Sequence, residues 1–287
     1  MRITFIGGGN MAQAIIGGLV QKGFAAQDIG VIEVIEEQRA KLSSQLGVRA
    51  YANVAEAASQ EGAPPPSHPP KSGASALGDL VVMAVKPQQM REAATALAAH
   101  LSGEVVLTIA AGIRLADLSR WLGGHQKLVR CMPNTPALVA AGITGAYASP
   151  GVSADERAGV DRVLSAVGKA VWVKEEALLD PVTAISGSGP AYVFFFIEAL
   201  EKAALDLGLS AQDARLLAIE TFVGAAKLAA GSPDAPGVLR ERVTSKGGTT
   251  EAALASMKAD RVAEAIGRAV RAANARAGEL ADQLGKG

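Results

Sequence analysis

Short apolar runs alternate with stretches of helical periodicity through the front half of the chain. Ile3–Ile6, Ile29–Val34, Leu80–Val85 and Val105–Ile109 are brief, rich in β-branched residues and bounded by Gly or Pro. That is the signature of buried parallel strands. Lys127–Met132, Thr144–Ala148 and Ala170–Val173 carry the same signal more weakly. Between the runs, apolar positions recur at helical spacing over Met11–Lys22, Glu37–Leu46, Gln88–Leu101 and Asp155–Ala166. Such alternation predicts an α/β fold, a doubly wound sheet occupying residues 1–174.

One segment breaks the pattern. Residues 61–78 contain Pro64-Pro65-Pro66 and Pro69-Pro70 among Ser and Gly, too Pro-rich for a helix and too poor in hydrophobics to fold alone. The sequence predicts a flexible surface insertion there.

From Glu175 onward the strand signal stops, and residues 175–287 read as an all-α domain. Ser188-Gly189-Pro190 reads as a helix start, with Ser as N-cap and Pro in the first turn. That helix runs through Tyr192–Leu207 to Gly208; Ser210 and Asp213 then form a capping box for a second, ending near Ala230. A third long helical stretch is expected from Glu251 to about Gln283. The first two are apolar nearly all round, as in Val193-Phe194-Phe195-Phe196-Ile197. A helix without a polar face must be covered on every side, so the pattern predicts a partner chain.

Composition narrows the class. The 287 residues are enough for two domains. Lys plus Arg and Asp plus Glu both number 28, so the formal net charge is zero and there is no electrostatic reason to expect nucleic acid or an anionic membrane as partner. The single Cys131 excludes an internal disulfide and fits a reducing compartment. The opening residues do not read as a signal peptide, and no run of eighteen uncharged apolar residues was found, so the expectation is a cytoplasmic protein without a membrane span.

The candidate chemistry begins at the first strand. Ile3–Ile6 leads into Gly7-Gly8-Gly9-Asn10-Met11-Ala12, a G-x-G-x-x-A pattern opening a helix. Gly7 allows the tight turn, Gly9 lets a pyrophosphate approach the backbone, and Ala12 lets helix and strand pack closely. The helix N-terminus offers free N–H groups to the phosphates. The pattern therefore predicts a dinucleotide site. Glu33 follows about twenty residues after Ala12, where an acid bonds a ribose 2′-hydroxyl and repels a 2′-phosphate. Taken alone, that favours NADH over NADPH. Further contacts are expected at the ends of later strands, in Ala84-Val85-Lys86-Pro87, Ala110-Ala111-Gly112 and Pro133-Asn134.

Two more glycine-rich stretches, Ser186-Gly187-Ser188-Gly189-Pro190 and Ser245-Lys246-Gly247-Gly248-Thr249-Thr250, each open a helix in the second half. Unpaired N–H groups and hydroxyls there suit a small anion such as a carboxylate. His68, His100 and His125 have no metal or triad partners in the sequence, so no metal is expected. Hydride transfer to an already activated C=N bond would need neither.

Read in order, Phe5–Ala12, Ala84–Pro87, Met132–Pro136, Ser186–Tyr192 and Ser245–Thr250 closely resemble the Δ1-pyrroline-5-carboxylate reductases over nearly the whole chain. The resemblance implies reduction of 1-pyrroline-5-carboxylate to L-proline by NADPH or NADH. It also implies an N-terminal Rossmann domain and a helical substrate-binding domain that interlocks with a second subunit, the homodimers assembling into a larger ring. Carried onto this chain, it puts the pyrophosphate on Gly7, Gly8, Gly9, Asn10 and Met11, with Asn53 a polar contact to the adenosine half. Ribose and nicotinamide would lie by Ala84, Val85, Lys86, Pro87, Ala110, Ala111, Gly112, Pro133 and Asn134. The substrate carboxylate would sit on Ser245, Gly247, Gly248 and Thr249, with Thr250 on the ring nitrogen as the catalytic hydroxyl and Glu176 as an acid near the active site. Lys246 departs from the family, which often has Pro there, and Glu33 departs from the residues that usually meet a 2′-phosphate. A β-hydroxyacid dehydrogenase of similar architecture remains an alternative, but its Lys would be Lys202, three turns beyond Pro190. A non-catalytic nucleotide-binding dimer is the other.

Overall fold

The computed structural model describes residues 1–59 and 76–285. Eight strands form one sheet: β1 (Ile3–Ile6), β2 (Ile29–Ile32), β3 (Arg49–Tyr51), β4 (Leu80–Met83), β5 (Val105–Thr108), β6 (Leu128–Met132), β7 (Gly142–Ala148) and β8 (Gly168–Trp172). Their order is β3-β2-β1-β4-β5-β6-β7-β8. The first six are parallel throughout, the order and direction of the dinucleotide-binding doubly wound fold. β7 turns back antiparallel to β6, and β8 is parallel to β7. The connection from β6 to β7, Pro133–Ala141, holds only a single short 3₁₀ stretch, too little for the helical crossover that a parallel partner needs.

Helices cover both faces of the sheet. They are α1 (Asn10–Gln21), α2 (Glu36–Leu46), α3 (Val54–Ser59), α4 (Met90–Ala98), α5 (Leu115–Trp121) and α6 (Ala154–Leu164). Alternate strand residues serve opposite faces, as the pleat requires. Phe5, Val31, Val82, Leu107 and Val129 pack against Ile15, Ile16 and Leu19 of α1, Leu42 of α2 and Val163 of α6. Ile6, Ile32, Val81, Met83, Val106 and Leu128 pack against Met90 and Leu97 of α4 and Leu118 of α5 on the other side. Near-continuous burial along β1, β2, β4 and β5 explains why these four strands read so clearly from apolar runs.

The expected insertion lies outside the described residues except for its last three. There the reading of a surface segment is corrected: Leu77 is buried in the core, and its carbonyl accepts a bond from the Thr4 hydroxyl at 2.6 Å.

The chain forms two compact units, one of Met1–Gly187 with Ala273–Gly287 and one of Ser188–Ala272. After β8 comes a short helix, α7 (Leu179–Val182), and a π-helical turn over Thr183–Gly187. The second unit holds α8 (Gly189–Asp206), α9 (Ala211–Gly231), α10 (Pro236–Arg242), α11 (Thr249–Ala259) and the first part of α12 (Val262–Gly285). Ser188 is not an N-cap as expected. It has αR geometry and makes no side-chain cap bond, because the π turn already leads the chain helically into Gly189. Ser210 does cap α9, accepting from the Asp213 N–H at 3.1 Å. The single helix expected from Glu251 to Gln283 is two helices: Arg261 takes φ +54° and ends α11, with no Gly or Pro to announce the break.

α8 and α9 pack on each other yet leave much apolar surface open, with Phe194 66% and Phe195 67% exposed. The continuous helical stretch Glu176–Asp206 is long and apolar enough to cross a membrane by length and composition alone. The stretch does not contradict the expectation of no uncharged apolar run of eighteen, because Asp180 and Glu198 bound a shorter one that also carries Thr183, Ser186 and Ser188.

Helix α6 carries a reciprocal cap. The Ser153 hydroxyl accepts from the Glu156 N–H at 3.3 Å, and the Glu156 carboxylate accepts from the Ser153 N–H at 2.8 Å. Burial pushes the Glu156 carboxyl upward, but its bonds to Lys127 and Ser153 outweigh that and hold it below the ordinary value. A depressed folded-state value means this contribution is present above the unfolded value and lost as pH falls through the folded one. Ser153→Ala is expected to cost about 1 kcal/mol and lower Tm by roughly 2–4 °C at neutral pH in calorimetry.

Candidate functional site

The turn after β1 is set by Gly7. Its φ is +97°, its N–H donates to the Ile32 carbonyl at 2.8 Å, and a Cβ there would lie 2.9 Å from the Ala84 carbonyl oxygen. Only glycine meets both demands. The turn delivers Gly9 to the N-cap of α1, where no side chain caps the helix. A Cβ on Gly9 would meet nothing within 4 Å. An uncapped helix start beside open space is a ready anion cradle. Around it, Gln13 and Gln38 both donate to the Gly8 carbonyl, at 2.8 and 3.3 Å. Met11, one position into α1, is half-buried against the core.

Glu33 follows β2 and faces this turn. One carboxylate oxygen accepts from the Gly8 N–H and the other from the Ile35 N–H, both at 3.0 Å. Asn53, just after β3, accepts from the Glu56 N–H at 2.9 Å and starts α3, leaving its amide N–H groups as donors. Ala84, Val85, Lys86 and Pro87 follow β4, with the Ala84 N–H on the Ile6 carbonyl at 2.8 Å and the Lys86 side chain exposed. Ala110, Ala111 and Gly112 follow β5, and Pro133 and Asn134 follow β6. The Asn134 amide oxygen accepts from the Ile143 N–H at 2.9 Å. All these residues follow the carboxyl ends of the parallel strands, on the side of the sheet where open α/β folds take ligands near the reversal of strand order at β1 and β4.

In the second unit, Ser245–Gly248 makes a turn closed by the Gly248 N–H on the Ser245 carbonyl at 3.0 Å, with Gly247 at φ +73°. Lys246 stands where such a turn favours Pro. Gly248 is the N-cap of α11 and makes no side-chain cap bond, so Thr249 and Thr250 sit in an uncapped first turn. The Glu251 carboxylate reaches back to the Gly247 N–H at 2.6 Å. The Gly247 and Gly248 N–H groups are thus taken up within the turn, and the donors at the helix start are the Thr249 and Thr250 N–H groups and hydroxyls.

Glu176 lies in the first unit. Its Oε1 accepts from the Leu115 N–H at 2.8 Å and from Arg130 at 3.1 Å. Sequence reasoning missed Arg130, although a lone Arg inside the apolar run Leu128-Val129-Arg130-Cys131-Met132 was a signal. It also missed Gln13, Gln38 and Glu251, the last legible as an acid three residues into a helix. Cys131 is fully buried, and burial, then the charge of Asp161, pushes its thiol pKa up, away from nucleophilic use. Among the described residues, no group of three or more His, Cys, Asp or Glu is placed to hold a metal ion.

Comparison with known proteins bears on the same residues. Residues 176–280 match the model described as pyrroline-5-carboxylate reductase dimerisation, and residues 2–112 match that of NADP oxidoreductase, coenzyme F420-dependent. The chain is 43% identical to pyrroline-5-carboxylate reductase of Pseudomonas aeruginosa, over 99% of this chain and 98% of that one. It belongs to the pyrroline-5-carboxylate reductase family. The Haemophilus influenzae reductase is 40% identical over 97% of each chain. The solved structure of a pyrroline-5-carboxylate reductase from Coxiella burnetii superposes with a TM-score of 0.87, at 36% identity, covering 97% of this chain and 98% of that one. The Rossmann-type sheet and helical second half expected from the resemblance are those of the reductase family. A dimerisation region spanning 176–280 also accounts for the apolar surface of α8 and α9: a chain that oligomerises covers it with another.

Gly7 and Gly9 separate folding from ligand binding. Gly9→Ala meets open space at an ordinary φ of −68°. It is expected to leave Tm within about 1 °C while raising the Kd for NADH at least tenfold in a fluorescence titration. Gly7→Ala, forced into a left-handed turn against Ala84, is expected to lower Tm by several degrees.

Proposed function

We propose that this chain reduces 1-pyrroline-5-carboxylate to L-proline with NAD(P)H, the final step of proline biosynthesis. The observation that carries the proposal is the near-full-length identity to reductases of that name. The open cradle at Gly9 and the donor-rich turn at Ser245–Thr250 support it chemically. In this reading residues 1–174 bind the cofactor, and residues 175–287 bind substrate and join two subunits into a homodimer within a larger ring. The setting is the cytoplasm, where a lone buried thiol persists without a disulfide.

The uncapped first turn of α1, from Gly7 to Met11, takes the pyrophosphate. Asn53 offers its amide to the adenosine half. Ala84–Pro87, Ala110–Gly112 and Pro133 with Asn134 present small side chains and backbone to ribose and nicotinamide. Glu33, already facing Gly8, accepts from a ribose 2′-hydroxyl and repels a 2′-phosphate. That favours NADH in this chain. When bound, the reduced nicotinamide supplies the hydride that reduces the imine carbon.

The remaining work belongs to the α11 turn. The Ser245 hydroxyl and the Thr249 N–H and hydroxyl hold the substrate carboxylate on the turn that Gly247 and Gly248 shape, helped by the positive end of the helix and by the Lys246 charge. This fixes which face of the ring is presented. The Thr250 hydroxyl bonds the ring nitrogen and keeps a proton there, which makes the adjacent carbon a better acceptor. A hydroxyl is a weak acid, so the proton itself comes from solvent through Thr250 or is already on the imine.

The test is NAD(P)H oxidation on adding 1-pyrroline-5-carboxylate, run side by side with NADH and NADPH. Substrate-dependent absorbance loss with proline formed, and a lower KM for NADH, are expected; no loss at any pH contradicts the proposal. Thr250→Ala is expected to lower kcat/KM on the order of 10²-fold, and an unchanged value removes Thr250 from the mechanism.

A further inference from the structure

Arg130 lies on β6 with its side chain only 6% exposed. A buried guanidinium must be paired. Its partners are Glu176 Oε1 at 3.1 Å and Asp180 Oδ1 at 3.5 Å. The same Glu176 oxygen accepts from the Leu115 N–H, the first of α5 and one with no partner inside its own helix. Glu176 therefore ties the start of α5 to a fixed point in the sheet.

What it ties down is the segment Ala110–Arg114, between β5 and α5. The Ala110 N–H bonds the Thr108 hydroxyl at 3.2 Å, and Ala110 and Ile113 are buried. Gly112, at φ +74°, lies against α12, where an added Cβ would come within 2.8 Å of Leu284. The segment is gripped at its strand end, along α12 and at Leu115. The last grip depends on one carboxylate.

We infer that Glu176, held by Arg130, is a positioning residue that fixes Ala110–Arg114 for the nicotinamide half of the cofactor, and that it does not contact the substrate. The inference rests on the proposed cofactor role of Ala110–Gly112. Glu176→Gln keeps an amide oxygen for the Leu115 N–H, whereas Glu176→Ala removes the acceptor.

The experiment measures the Kd for NADH by fluorescence titration, the KM for NAD(P)H and for 1-pyrroline-5-carboxylate, and hydrogen exchange over 110–115 and 245–250. For Glu176→Ala, the NADH Kd and the cofactor KM are expected to rise about tenfold. Amides 110–115 should exchange faster, amides 245–250 should not change, and the substrate KM should stay within about twofold. Glu176→Gln should restore the NADH Kd to within about threefold of the parent. A raised substrate KM with an unchanged NADH Kd, in either variant, overturns the inference, as does a folded Glu176→Ala that changes neither. If Glu176→Ala does not fold, Glu176→Gln decides alone, because a substrate-binding carboxylate would lose substrate affinity on losing its charge. A parent protein that binds NADH but does not oxidise it with 1-pyrroline-5-carboxylate fails the proposed function, while the titration and exchange still test the positioning role.

Discussion

The first turn after β1 must pass within van der Waals distance of the Ala84 carbonyl while reversing direction. No residue with a Cβ can do this at φ +97°. Gly7 solves the problem, and several features follow from it. The end of β1 stays hydrogen-bonded to β2 through the Ile32 carbonyl. β4 can lie directly beside β1 and parallel to it, which places the reversal of strand order, not of strand direction, at this pair. α1 starts immediately, uncapped and open, with its apolar face seated on Phe5 and Val31. Even Glu33 is positioned by this turn, since the Gly8 N–H holds its carboxylate. A generic glycine pattern thus leaves the start of α1 open and holds the acid that follows β2 beside it.

The helical half depends on a different constraint. α8 has no buried residue within the single chain, and Leu207 is 85% exposed. Apolar surface left in water costs about 25 cal/mol per Å² relative to burial, so helices of this kind are stable only when covered. Membership of a family with a dimerisation region over 176–280 supplies the cover. The same helices that bring subunits together lead through α10 to the Ser245–Thr250 turn, so the proposed substrate turn sits in the part of the chain most dependent on assembly.

Much of this was legible in the sequence, for identifiable reasons. β1, β2, β4 and β5 are buried on both faces and so appear as unbroken apolar runs. β3 was not legible, because of Arg49-Ala50-Tyr51 only Tyr51 is buried and the strand has three residues. α3, α5 and α10 are too short for a helical period to emerge. The break between α11 and α12 has no composition signal, since Arg261 adopts a conformation usually left to Gly or Asn. Within the candidate site, the glycines and the helix starts could be read because each has a local geometric cause. Glu176 could not. Its partners Leu115 and Arg130 are 61 and 46 residues away in sequence, and only the folded sheet brings them together.

The central claim is that this protein binds a reduced nicotinamide cofactor and delivers its hydrogen to the imine carbon of a five-membered ring. The most direct measurement is a label transfer. The protein is incubated with 1-pyrroline-5-carboxylate and NADH carrying deuterium at nicotinamide C4, prepared separately for each face, and the proline formed is analysed by NMR. The account predicts deuterium at C5 of proline from one labelled face only. Proline without deuterium from either face, or no proline at all, would contradict it.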